Sequence, residues 1–136
     1  MNSQPYALAA LLSSGEPERL YSGLSVLVSS ATDGERCAGL ASFRALDLML
    51  DDDLLQRVSE PEQTPSLSWA GRDTFARSLL ELRETALELE GLSLYACAAS
   101  VETMSLTAGA VEERLDGVMS TPRFLRETSG ARLLFV

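Results

Sequence analysis

Leu92 to Leu106 reads LSLYACAASVETMSL: a short apolar run that stops at a cysteine and passes through small residues into a helical pattern. Leu92–Ala96 has strand length and composition. Ser100 is a good helix N-cap, and Ser100 to Leu115 reads as a helix bent near Gly109. Upstream of this unit, Phe75, Leu79, Leu82, Ala86 and Leu89 recur at helical spacing, with Asp73 as N-cap and Gly91 beyond the end. Downstream, Val118 and Met119 give a short strand. Thr121-Pro122 opens a helix that ends at Gly130, and Leu133–Val136 closes the chain as a strand.

Nearer the N-terminus, Leu24–Val28 (LSVLV) reads as a buried strand, and Ser29–Gly34 as the turn after it. Glu35–Leu50 reads as a helix capped by Asp33, from the spacing of Cys37, Leu40, Ala41 and Leu48. Glu60–Gly71, with two prolines, is a loop. Residues 1–21 read as an N-terminal extension with a short helix at PYALAALL, and residues 22–136 as the domain proper. Strands separated by helices need crossover connections, which predicts an α/β three-layer sandwich around a mostly parallel sheet.

Composition narrows the chemistry. The 136 residues are enough for one core, and two cysteines without a CxxC suggest neither a disulfide framework nor a zinc knuckle. The formal charge of -9 comes from 20 acids against 11 arginines and no lysine, which argues against nucleic acid as a partner. Ala7–Leu12 is the longest apolar run before Arg19, so no membrane partner is expected and a reducing, cytoplasmic setting fits. The sequence has no histidine, which removes Ser-His-Asp triads, Cys-His dyads and HExxH zinc sites; no metal or cofactor is expected.

Cys97 is the candidate reactive residue because it stands where a strand ends and a helix begins. Ligand sites of parallel α/β sheets gather at that edge, and free helix N–H groups there lower a thiol pKa. The competing reading is a small buried core residue with a raised pKa. Cys37 has the weaker claim, since it sits on the apolar face of its predicted helix. Ser100 and Thr121 mark two helix starts at the same edge. Arg123 follows Thr121-Pro122 and suits an anion, although a solvated arginine at a helix end is the common case. Trp69 can cap a pocket or bury itself at a subunit contact, and Arg72 beside it suits an anionic ligand.

The segment Leu94–Leu106 (LYACAASVETMSL) resembles the strand-cysteine-helix signature of the DsrE/DsrF-like family, with Cys97, Ser100, Met104 and Leu106 matching in order. DGVMSTPRFLRETSGARLLFV resembles that family's closing strand-helix-strand, and LSVLVSSATDGER its opening strand and turn, so that residues 23–136 are covered. The departure lies in residues 40–58, where the family's second, aromatic-rich strand has no clear counterpart. Either that strand is degenerate, or LASFRAL (Leu40–Leu46) is the strand and the preceding helix has shrunk. The resemblance implies a flavodoxin-like fold and homo-oligomers. In members that keep the cysteine it implies carriage of sulfane sulfur as a persulfide between donor and acceptor proteins. Two functions follow for this chain: a sulfurtransferase-like sulfur relay on Cys97, or a binding or assembly module that keeps the fold without the chemistry. A thiol peroxidase or redox sensor is a third choice, short of a resolving partner or a base.

Overall fold

The computed structural model describes residues 4–136. Its strands are β1 (Leu8–Leu12), β2 (Cys37–Ala41), β3 (Leu92–Cys97), β4 (Gly117–Met119) and β5 (Arg132–Phe135). They form one sheet in the order β4-β3-β2-β1-β5, with every pairing parallel. The helices are α1 (Pro17–Thr32), α2 (Phe43–Leu50), α3 (Leu54–Val58), α4 (Trp69–Glu88), α5 (Ala98–Thr103), α6 (Ala108–Glu112) and α7 (Thr121–Glu127). The α/β class and the parallel sheet agree with expectation. Among the described residues no helix is long and apolar enough to cross a membrane.

The N-terminal third differs from its reading. Leu24–Val28 is not a strand but the middle of α1, where Leu20, Leu24, Leu27 and Ala31 are buried at i, i+4, i+7 and i+11. The helical period runs through the whole segment from Pro17, which suits the first turn of a helix; the apolar run LSVLV is only its densest part. Leu8–Leu12 is a strand rather than a short helix, hydrogen-bonded between β2 and β5. The expected domain boundary at Tyr21 therefore falls inside α1, and residues 1–3 of the expected extension lie outside the described residues. Glu35–Leu50 divides into β2 and α2, and Asp33 is the C-cap of α1 rather than an N-cap. Alanine favours helices in isolation. LAALL and CAGLA become strands because their neighbours bury them on both faces, where small side chains fit.

Later elements need only local correction. α4 starts at its N-cap Ser68, whose hydroxyl accepts from Gly71 N–H, and Asp73 pairs instead with Arg77 one turn on. The helix expected from Ser100 to Leu115 is two short helices, α5 and α6, separated where Ser105 turns to a φ of 55°. α7 is capped by Ser120, one residue before the expected Thr121.

Strand alternation assigns the faces. Leu8, Ala10 and Leu12 of β1 join Leu20, Leu24 and Leu27 of α1 and Ala76, Leu79 and Ala86 of α4 in the larger core. The helix α1 lies close on the sheet: a Cβ on Gly23 would come within 2.7 Å of Leu12 of β1, and one on Gly39 of β2 within 3.2 Å of Leu27. On the opposite face Ala9, Ala38, Leu40, Cys97 and Met119 pack with Phe124 of α7. A helix of 7 residues is only about 10 Å long, against about 19 Å across five strands, so α7 leaves part of this face open. Leu133 and Phe135, in register with Ala9 and Leu11, remain 56% and 72% exposed.

One buried charge ties the larger layer together. Arg83 of α4 is 1% exposed, and its Nη1 donates to the carbonyls of Leu48 (2.8 Å) and Asp51 (2.7 Å) at the end of α2. Those carbonyls have no partner within α2, and a cation suits that end of a helix. Glu84 accepts from Arg83 and also meets Arg114, whose other ion pair is with Asp52. Burial pushes the Asp51 carboxyl upward, but the Asp53 N–H and Arg57 outweigh that and hold it below the usual range.

Arg83→Met should lower the free energy of unfolding by about 3 kcal/mol in urea titrations, because two buried carbonyls lose their donor. Arg77→Ala, which removes an exposed pair, should change it by less than about 0.5 kcal/mol. Since the Asp51 carboxyl is depressed in the folded state, its contribution is complete above the unfolded-state pKa and is lost as pH falls through the folded one. Asp51→Asn should therefore flatten the acid limb of the stability profile.

Candidate functional site

The carboxyl edge of the sheet gathers the site. β3 stops at Cys97, which stands at the N-cap of α5 with φ -65° and ψ 126°. Because Leu92, Leu94 and Ala96 face the larger core, Cys97 points to the other side, among Ala9, Ala38, Leu40, Met119 and Phe124. It is 6% exposed. Beside it, β4 ends at Met119 and α7 begins at Thr121, whose Oγ1 lies 4.0 Å from the Cys97 sulfur.

Burial raises the Cys97 thiol pKa, but hydrogen bonds outweigh it. The Ser100 N–H, the Ser100 hydroxyl, the Ala99 N–H and the Thr121 hydroxyl all favour the thiolate, and the net direction is down from the ordinary thiol value. Ser100 itself is fully buried in the third residue of α5, not at its cap. Its oxygen accepts a hydrogen bond of 2.9 Å from the backbone N–H of Phe43. Phe43 opens α2 with a left-handed φ of 46°, unusual for a side chain that is not glycine.

Of the residues expected at the site, Cys97, Ser100 and Thr121 come together. Arg123 does not join them: its Nε lies 3.0 Å from Glu127 on the exposed side of α7. Trp69 and Arg72 stand in the first turn of α4. Trp69 is 80% exposed and Arg72 donates to the Leu67 carbonyl; neither hydrogen-bonds with the Cys97 group. Phe43 was missed, and its side chain gives no signal, because the group it contributes is a backbone amide. Among the described residues no cluster of three or more Cys, Asp or Glu is placed to hold a metal ion.

Cys37 has the opposite chemistry. It is fully buried at the start of β2, its Sγ lies 3.7 Å from the Glu35 carbonyl, and burial pushes its thiol up, with Glu35 adding to the rise and Arg132 opposing it. Cys37 pairs with Leu92, at the far end of β3 from Cys97. Five residues of strand separate the two ends by about 16 Å, and the cysteines face opposite sides, so a Cys37–Cys97 disulfide is excluded in this fold. No family model matches the chain, and no curated protein matches it in sequence.

Alkylation of the native protein followed across pH should give Cys97 a midpoint below that of an unperturbed thiol, with Cys37 unreactive until well above it. Peptide mapping separates the two sites. Equal midpoints would mean that the donors around Cys97 do not act on its sulfur.

Proposed function

We propose that this chain is a cytoplasmic, DsrE/DsrF-like, sulfurtransferase-like protein of a sulfur relay, and that it carries a sulfane sulfur on Cys97. The carrying observation is the place of Cys97 at the carboxyl end of β3 and the N-cap of α5, with the Thr121 hydroxyl 4.0 Å from its sulfur. The strand that ends at the cysteine and the helix that starts beside it are the local features on which the family resemblance rests.

In the first step the Cys97 thiolate attacks the outer sulfur of a donor persulfide, R–S–SH. The S–S bond of the donor breaks, R–S⁻ leaves and takes up a proton, and Cys97 becomes Cys–S–SH. An acceptor thiolate then attacks the outer sulfur, and the thiolate of Cys97 returns as the leaving group. The exchange moves one sulfur with no net oxidation. It requires no histidine and no metal, only a thiol that both attacks and leaves well. A depressed pKa serves the leaving role directly. The same donors hold the anionic persulfide, and Thr121, exposed at the start of α7, marks the side from which a donor or acceptor protein approaches.

A second reading, a binding or assembly module, is favoured by the uncovered part of the α7 face. Leu133 and Phe135 there are carried by β5, the edge strand of the sheet, and Leu125 of α7 is also exposed. An open strand edge flanked by apolar side chains is a surface that proteins normally cover, and we propose a homo-oligomer as its cover. The two readings are compatible, since the site and this edge are different surfaces.

Incubated anaerobically with a persulfide donor, the protein should gain the mass of one sulfur atom at Cys97, reversibly with a thiol. Cys97→Ser should gain none, and Cys37→Ser should behave as the parent. A reactive Cys97 that never acquires sulfur would overturn the relay. Sedimentation at micromolar concentration should give more than the 14.7 kDa monomer, and Phe135→Glu should shift it toward monomer. A monomer before substitution would remove the proposed assembly.

A further inference from the structure

We infer that a second copy of this chain joins β5 to β5 in antiparallel register about a two-fold axis at Leu134, with Leu133 of each copy opposite Phe135 of the other; the inference rests on the assembly proposed above and fixes its geometry. β5 is the last strand in the order β4-β3-β2-β1-β5, so only one of its edges is paired. A strand uses alternate residues toward each neighbour. The N–H groups of Arg132 and Val136 donate to the carbonyls of Ala7 and Leu11, and the Val136 carbonyl accepts from Ser13. By the same alternation Leu133 and Phe135 turn their N–H and C=O groups away from β1, to the open edge.

These groups form a self-complementary set. With the axis at Leu134, each Leu133–Phe135 pair exchanges an N–H···O=C bond in both directions, and Leu134 faces Leu134 in the closer, non-hydrogen-bonded kind of pair. The side chains fit the same register: Leu133 and Phe135, 56% and 72% exposed on the α7 face, cover one another across the joint. On the other face α1 lies over this edge, since a Cβ on Gly23 would come within 3.4 Å of Val136, and Val26, three residues on, is 44% exposed. Apolar side chains thus flank the open edge on both faces. Charge selects the direction. Each copy carries -9, yet Ala131–Val136 holds no acid and a single cation, Arg132. Antiparallel pairing places the two Arg132 residues at opposite ends of the joined strands, about 14 Å apart and beyond the screening length at physiological salt, whereas parallel pairing would set them side by side. A second copy is favoured over a foreign strand because the same two residues supply both halves of every bond and of each apolar pair.

The test places Leu134→Cys in a Cys37→Ser, Cys97→Ser background, with thermal melts to confirm folding, and oxidises it mildly at a concentration where sedimentation of the parent shows the dimer. Facing residues of a non-hydrogen-bonded pair stand about 4.5 Å apart at Cα, within disulfide range, so most of the protein should run as a dimer that a reductant separates. Leu133→Cys in the same background should stay monomeric on the denaturing gel, because the axis at Leu134 leaves its two copies about 8 Å apart, beyond that range. A parent that sediments as a monomer would defeat the proposed assembly itself. A parent dimer in which Leu134→Cys stays uncross-linked, or Leu133→Cys cross-links in its place, would overturn the β5–β5 register alone. If Leu134→Cys does not fold, amide hydrogen exchange of the parent decides: the Leu133 and Phe135 N–H groups should be protected in the dimer and lose that protection on dilution to monomer, and free exchange of both in the dimer overturns the inference.

Discussion

An all-parallel sheet forces every strand to be left at its carboxyl edge and re-entered at its amino edge. Every crossover helix in this chain therefore starts on one side of the sheet, and so do the loops that precede the helices. Phe43 after β2, Ser100 after β3 and Thr121 after β4 are far apart in sequence, yet the sheet order β4-β3-β2 makes them neighbours around the end of β3. The convergence on Cys97 is a consequence of topology more than of any local motif. Helix α5 is itself only 6 residues long and contributes its first N–H groups; the rest of the site arrives from the flanking connections.

The same topology explains why the two sides of the sheet differ. Helices α1 and α4 have 16 and 20 residues and carry leucine-rich faces, so one side forms the larger core. The connection from β4 to β5 has to pass over β3, β2 and β1, and its single helix has 7 residues. It can pass close because Ala9 and Ala38 lie beneath it, and Phe124 fills the space that those alanines leave. Small strand residues are thus the condition for the thin layer, and the thin layer leaves both Thr121 and the β5 edge accessible.

How much of this was legible in the sequence followed from which signal each segment carries. β3, α4 and β5 were read correctly in kind because a short apolar run between breaks, or leucines at helical spacing, needs no tertiary context. β1 and β2 were not, because LAALL and CAGLA have helix-compatible composition and become strands only through pairing on both edges. LSVLV shows the converse: a window of five residues cannot separate a buried strand from the apolar middle of a helix, and the period from Pro17 to Ala31 decides it. The segment likened to the family's opening strand is this helix. Within the site, Cys97, Ser100 and Thr121 were visible as residues at helix starts. Phe43 was not, since pattern reading follows side chains and its contribution is a main-chain proton.

The two cysteines show how little the residue type decides. Both are buried, and burial raises both thiols. At Cys37 the nearest polar group is a carbonyl oxygen, which favours the protonated form, and Glu35 adds a like charge. At Cys97 the neighbours are N–H and O–H groups, which favour the anion, and none of them is charged. That difference matters for a protein with a formal charge of -9, in which an arginine recruited to a thiolate would be exposed to competition from many carboxylates. Fixed dipoles cannot be drawn away in this manner and are weakly screened when buried. Neutral hydrogen-bond donors thus account for a thiol held below its ordinary pKa in an acidic chain without a single histidine.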